Sequence, residues 1–324
     1  MAESKADVLM VGPMAPFIMD GISKAFTLHK LWEAKDRDAM IADLAPNLRL
    51  MAAGGGHARL DGSFLSKFPK LELVSSFGVG YDHIDAKWAG AHGIVVTNTP
   101  DVLTEEVADT AMGLLLSTVR EFPQAERYLR AGQWPKAPYP LTKGTLREST
   151  VGIVGLGRIG KAIARRLEAS DVTVAYFGRN RQADVSYRYY SNLVEMARAV
   201  DVLMVVTPGG PETKNLINAA VLEALGPDGV LINVARGSVV DEPALIKALK
   251  EKKIRSAGLD VFVDEPQVPK ELIEMEHIVL FPHLGSASIY TREKMGQLVI
   301  DNLVAWAAGK PPLTPVAETP VKQR

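Results

Sequence analysis

Val151-Gly152-Ile153-Val154-Gly155-Leu156-Gly157-Arg158-Ile159-Gly160 is the stretch whose reading decides the fold. A short apolar run suited to a strand enters a Gly-x-Gly-x-x-Gly turn, and residues 159–169 behind it have helical periodicity. A glycine triplet alone is a weak signal, because an ordinary Gly-rich turn produces one. With a strand before it and a helix behind, it reads as a dinucleotide fingerprint. Gly155 then permits the tight turn, Gly157 lets the backbone approach a pyrophosphate, and Gly160 lets the helix pack close to the strand. Leu156, Arg158 and Ile159 complete the turn, and the free N–H groups of the helix N-terminus favour the anion.

Working outward, apolar runs at 172–177, 202–207, 230–233, 257–260 and 278–281 predict further strands. Helical patterns at 193–198 and 243–252 lie among them, which predicts a doubly wound parallel sheet. Upstream, strands predicted at 7–11, 48–52, 73–76 and 94–96 alternate with helices at 19–26, 37–43 and 86–91, so the first part is itself an α/β unit. Thr99-Pro100-Asp101 reads as a boundary, followed by a strong helical pattern over 103–120 and a Pro- and Gly-rich loop over 132–140. A helix over 291–308 and the linker Lys310-Pro311-Pro312 return the chain to the first unit. The expected fold is α/β, with two Rossmann-like or flavodoxin-like domains built on doubly wound parallel sheets. A dinucleotide-binding domain (100–290) is inserted into a substrate domain (1–99 plus 291–324), and the active site is expected in the cleft between them.

At 324 residues and 47% hydrophobic content the chain has material for two cores. A net charge of −1 gives no electrostatic reason to expect nucleic acid or an anionic membrane. The absence of cysteine excludes disulfides, thiolate nucleophiles and Cys-ligated zinc. Met1–Asp7 lacks the pattern of a secretory signal, and no apolar run reaches membrane-spanning length, so a cytoplasmic location is expected.

Three polar residues, each behind a predicted strand, suit one chemistry. Arg236 in Asn233-Val234-Ala235-Arg236-Gly237 offers a planar fork of donors for a 2-oxo carboxylate, unless it is only a structural salt bridge. His283 in Pro282-His283-Leu284-Gly285 can give or take a proton on a substrate oxygen, although an isolated His is more often a satisfied core residue. Glu265 can fix the imidazole tautomer, or Glu265-Pro266 is merely a turn. Asp260 is a candidate to hold a nicotinamide carboxamide, and Thr207, Pro208 and Ala235 are further cofactor candidates at strand ends. The strand over 172–177 ends in Gly178-Arg179-Asn180-Arg181, with no acid before Asp184. Two guanidiniums and an amide suit a 2′-phosphate, which predicts NADP(H) in preference to NAD(H); the alternative is a solvated basic loop.

The Gly-rich loops 53–57 and 77–82 follow predicted strands and present N–H groups suited to a carboxylate, though plain β–α turns explain them nearly as well. Trp134 and Tyr139 suit a substrate mouth, a dimer contact or simple surface packing. The remaining histidines lack zinc-protease spacing and no Gly-x-Ser-x-Gly elbow occurs, so no metal is expected.

These motifs resemble the D-isomer-specific 2-hydroxyacid dehydrogenases over nearly the whole chain. The resemblance rests on Ser75–Gly80, Thr97–Pro100, Val154–Gly160, Ile232–Gly237, Gly258–Phe262 with Glu265-Pro266, and Pro282–Ser286. Within the family the chain is most similar to the NADPH-preferring glyoxylate/hydroxypyruvate reductases, including the plant hydroxyphenylpyruvate reductases. That likeness implies reduction of small 2-oxo acids, with Arg236 as anchor, His283 as acid/base and Glu265 as its partner. It implies main-chain carboxylate contacts at Val79 and Gly80, and places Val234 and Gly285 among the cofactor contacts. It also implies a homodimer built largely on the 103–120 helix and the following loop, with cleft closure during turnover. One departure is Gly209-Gly210, where relatives commonly carry Leu-Thr, which predicts a looser loop near the adenosine. The alternative is a regulatory binding protein that senses the nicotinamide cofactor on the same fold.

Overall fold

Among the described residues, the named strands all pair parallel, in two sheets. The computed structural model describes residues 5–54 and 59–321. The chain divides into one unit of Met1–Leu103 with Ser288–Arg324, and a second of Thr104–Ala287. The segment Gly55-Gly56-His57, part of the first Gly-rich loop considered above, lies outside the described residues.

The first unit holds β1 (Asp7–Met10), β2 (Thr27–Lys30), β3 (Leu50–Ala53), β4 (Leu73–Ser76) and β5 (Val95–Thr97), in the order β2-β1-β3-β4-β5. Every residue of β3, β4 and β5 is buried, which is why these strands are continuous apolar or small-residue runs without polar alternation. The 19-residue helix Ile289–Ala307 packs on the helix Pro16–Ala25 and on β4. Gly296 makes the helix pair possible, since a Cβ there would lie 2.5 Å from Ile18 Cγ1. The hydroxyl of Ser75 donates to the carbonyl of Val299 at 3.2 Å, fastening the helix to the sheet. The final segment runs beside β5, where Val316 N–H donates to Val96 C=O at 2.9 Å.

The second unit holds β6 (Thr150–Val154), β7 (Thr173–Phe177), β8 (Arg188–Tyr190), β9 (Val202–Val205), β10 (Val230–Asn233), β11 (Ser256–Leu259) and β12 (Val279–Leu280). Their order is β12-β11-β10-β9-β6-β7-β8. The direction of winding reverses between β6 and β9, and ligands of such sheets bind beyond the carboxyl ends of the strands at that point. Two buried clusters cover the faces, one around Met196, Leu222 and Leu249, the other around Leu114, Ile163 and Met204. The helix Thr104–Val119 supplies Leu114 and Leu115 to the second cluster. Among the described residues no helix is long and apolar enough to cross a membrane.

Candidate active site

The glycine turn after β6 has the geometry that close packing demands. Gly155 has φ +101°, and a Cβ there would lie 2.8 Å from Thr207 Cα, so a side chain is excluded both by conformation and by the loop after β9. A Cβ on Gly160 would lie 2.4 Å from the Gly155 carbonyl oxygen. Gly157 caps the helix Arg158–Glu168, and nothing lies within 4 Å of a Cβ built there. The turn is therefore closed on the protein side and open at the helix N-terminus, a cradle that fits a dinucleotide pyrophosphate. Leu156 is buried, and its carbonyl accepts from Gln182 Nε2 at 2.7 Å.

Gln182 also donates its backbone N–H to Tyr176 Oη at 2.8 Å, which fixes the loop after β7 against the glycine turn. Arg179, Asn180 and Arg181 are exposed, and among the described residues neither guanidinium has an ion-pair or hydrogen-bond partner. The nearest acid downstream, Asp184, is taken by Lys161 at 2.6 Å. That hydrogen bond holds the Asp184 carboxyl below its ordinary range. Near Thr207 and Pro208, the hydroxyl of Thr213 donates to Pro208 C=O at 2.7 Å and lies 3.3 Å from Gly210 C=O. The Thr213 side chain thus spans the loop that carries Gly209-Gly210.

Arg236, Glu265 and His283 come from the loops that leave the adjacent strands β10, β11 and β12. His283 Nδ1 lies 2.6 Å from Glu265 Oε2. An ionised carboxylate can only accept, so Nδ1 carries the proton and Nε2 is the nitrogen left for chemistry. The other carboxylate oxygen accepts the Phe262 N–H at 2.9 Å. Burial works to raise the Glu265 carboxyl. The hydrogen bonds from His283 and Phe262, with the charges of His283 and Arg236, outweigh it and leave the group below the ordinary glutamate range. A carboxyl depressed in the fold stabilises the protein above the ordinary range and loses that contribution as pH falls through its folded value. Glu265→Gln is therefore expected to flatten the acid limb of a plot of thermal midpoint against pH; superimposable limbs for the two proteins would contradict the pairing.

Arg236 is half-buried, and one guanidinium nitrogen donates to its own loop at Ala235 C=O, 2.8 Å away. Gly237 sets the approach of this loop to the Glu265 loop: a Cβ on it would fall 1.9 Å from the carbonyl carbon of Phe262. Val234 and Ala235 have their side chains in the two cores, so cofactor contacts from them can come only through the main chain. Asp260 is buried, and its two oxygens accept the N–H groups of Leu284, at 2.5 Å, and Gly285, at 2.9 Å. The carboxylate read from the sequence as a carboxamide holder thus also anchors the loop that carries His283, itself at φ +54°. Burial pushes the Asp260 carboxyl up, with those two hydrogen bonds and the His283 charge opposing.

Asn233 escaped the sequence reading. Only 1% exposed, it accepts the Ala235 N–H at 3.0 Å and donates through Nδ2 to Arg236 C=O at 3.0 Å, clamping the turn that presents the arginine. The available signal was a polar residue closing the otherwise apolar run Val230-Leu231-Ile232.

In the first unit, the turn after β4 is held by its outer groups. Gly78 N–H donates to Thr99 Oγ1 at 3.0 Å, and Val79 C=O accepts from Asn98 Nδ2 at 2.9 Å. Among the described residues the Val79 and Gly80 N–H groups form no hydrogen bond.

A family model described as D-isomer specific 2-hydroxyacid dehydrogenase, NAD binding domain, matches residues 112–285. The chain is 44% identical over 309 residues to the hydroxyphenylpyruvate reductase of Plectranthus scutellarioides, covering 95% of this chain and 98% of that one. It is 44% identical over 309 residues to a glyoxylate/hydroxypyruvate reductase of Arabidopsis thaliana, covering 95% of this chain and 98% of the relative. The crystal structure of the NADPH-dependent glyoxylate/hydroxypyruvate reductase of Sinorhizobium meliloti, in complex with NADP and malonate, superposes with a TM-score of 0.92 at 47% identity over 99% of both chains.

Proposed function

Because the chain belongs to the D-isomer-specific 2-hydroxyacid dehydrogenase family, we propose that its site reduces small 2-oxo acids to D-2-hydroxy acids, with NADPH as hydride donor. The observation that carries this reading is the Glu265–His283 pair beside the Arg236 loop, in the unit that also holds the glycine cradle. Glyoxylate and hydroxypyruvate are the substrates it suits, with arylpyruvates as a bulkier class.

In this account Arg236 holds the carboxylate and carbonyl oxygens of the substrate through its planar fork. The main-chain N–H groups of Val79 and Gly80 are assigned in the same reading as carboxylate contacts. His283, protonated on both nitrogens before reduction, delivers the Nε2 proton to the carbonyl oxygen as that atom gains charge. Glu265 keeps the imidazole in the orientation that points Nε2 away from it and steadies the cationic ring. Gly155, Gly157 and Gly160 with the Arg158–Glu168 helix N-terminus receive the pyrophosphate, Arg179, Asn180 and Arg181 the adenosine 2′-phosphate, and Thr207, Pro208 and Ala235 line the same cradle. When bound, the nicotinamide supplies the hydride.

Product chirality tests the reaction. Hydroxypyruvate turned over with NADPH is expected to give D-glycerate on chiral chromatography, and L-glycerate would reject the assignment. The arginine loop has its own test. Changing Arg179 and Arg181 to Ala together is expected to raise the KM for NADPH by roughly tenfold to a hundredfold and to leave that for NADH nearly unchanged. Equal shifts for both cofactors would make the loop plain solvated surface.

The homodimer is part of the same proposal. Leu116, Phe122, Leu129, Trp134 and Leu141 are exposed apolar side chains concentrated between residues 116 and 141, with Leu141 98% exposed. Tyr139 donates its hydroxyl to Glu121 at 3.0 Å and meets the Tyr128 ring edge-on, which stiffens that segment. The alternative of a cofactor-sensing regulatory protein finds no support in these likenesses.

A further inference from the structure

Arg292 stands in the first turn of the helix Ile289–Ala307, where the helix dipole disfavours a cation. It is half-buried, and burial pulls its guanidinium down from the ordinary arginine value. Both effects run against a positive charge at this place, yet arginine stays charged in proteins. Its guanidinium carbon lies over the Phe77 ring, 5.4 Å from the centroid, a cation–π contact. Phe77 leads directly into Gly78, at φ +133°, and then into Val79 and Gly80, whose N–H groups form no hydrogen bond among the described residues. Helix and turn belong to the same unit. Two main-chain donors in a turn can make a concave anion site, and a partly desolvated cation held on the ring of the neighbouring Phe77 would strengthen it, because its field is less screened than in bulk water.

We propose that Arg292 is a substrate-binding residue, the cationic member of a carboxylate site it forms with the main-chain N–H groups of Val79 and Gly80. The inference rests on the 2-oxo acid reading above and adds a second guanidinium, separate from Arg236, that sets affinity for the anion. Arg292 takes no part in the proton or hydride transfer. Its effect falls on the KM of the 2-oxo acid and on the binding of small dicarboxylates that imitate it.

The test is Arg292→Gln and Arg292→Lys in the full chain, with thermal midpoint and NADPH affinity measured alongside. Arg292→Gln is expected to raise the KM for glyoxylate by about tenfold or more, with kcat and NADPH affinity changed by less than about threefold. Arg292→Lys, which keeps the charge but loses the planar fork of donors, is expected to recover part of that loss. Malonate, titrated calorimetrically into the NADPH-loaded protein, is expected to bind the Gln variant correspondingly more weakly. An unchanged KM and unchanged malonate affinity, with only the thermal midpoint lowered, would overturn the proposal and leave Arg292 a packing residue. A fall in kcat at constant KM would overturn it as well. If the unaltered protein turned over no 2-oxo acid, the reaction assignment would fail; malonate binding would still decide the role of Arg292.

Discussion

His283→Asn is expected to lower kcat for hydroxypyruvate by about a thousandfold, within the range that general acid–base catalysis contributes. The amide of Asn is the right replacement because it can still donate toward Glu265 Oε2, which the imidazole now meets at 2.6 Å, so the loop keeps its anchor. That loop is held independently of His283, through the Leu284 and Gly285 N–H groups on Asp260. NADPH affinity is therefore expected to stay within about twofold, since the cradle around Gly155 to Gly160 is not disturbed. Stopped-flow mixing of enzyme and NADPH with excess hydroxypyruvate should show the loss in the chemical step itself. Equal loss of turnover and of cofactor binding would mean that the substitution had collapsed the loop, and the acid/base role would be unsupported.

Arg236→Ala is expected to lower kcat/KM by about a thousandfold, on the order of 4 kcal/mol of transition-state stabilisation, with a rise in KM and a fall in kcat together. The size follows from removing a charged fork that meets the anion in the ground state and the developing oxyanion in the transition state. The substitution has a second consequence inside the protein. The Arg236 charge is among the causes that hold Glu265 low, so its removal should let the Glu265 carboxyl rise. The stability contribution of that carboxyl is present above the ordinary range and lost on acidification, so the variant should lose less stability as pH falls. Arg236→Lys restores the charge but not the fork, and should recover the pH response more fully than the turnover. Kinetics indistinguishable from the unaltered protein would remove Arg236 from the site.

The sheet of the second unit was legible because parallel strands covered on both faces read as short apolar runs, and the runs at β6, β9 and β10 are of that kind. Some of the elements the sequence did not disclose lie at margins, although the helix Ala219–Leu225, which buries Val221, Leu222 and Leu225, does not. β2, Thr27-Leu28-His29-Lys30, and β8, Arg188-Tyr189-Tyr190, are edge strands with partly exposed, mixed side chains, and neither has an apolar pattern. The helix Phe122–Arg130 buries no residue and starts from Glu121 at φ +56°, so a core-facing periodicity could not reveal it. For the site, each strand-end polar residue was visible, and Glu265 was readable as the partner of His283, with a plain Glu265-Pro266 turn as the alternative; the structure joins the two across 18 residues of chain. That pairing depends on β11 and β12 lying side by side, with Leu259 opposite Leu280. Asn233 was overlooked for a different reason: it acts on the backbone of Ala235 and Arg236, and a side chain that positions a turn has no chemical signature of its own. The glycines were the best-read part, because φ +101° at Gly155 and the contact of Gly160 with the Gly155 carbonyl are requirements that only glycine meets.

The measurement that bears most directly on the central claim is steady-state oxidation of NADPH, followed by absorbance with NADH in parallel, on glyoxylate, hydroxypyruvate and phenylpyruvate. The expected result is rapid turnover of NADPH with glyoxylate or hydroxypyruvate and slower turnover of NADH, as the proposed 2′-phosphate role of exposed Arg179 and Arg181 predicts. Cofactor binding without turnover of any 2-oxo acid would contradict the account.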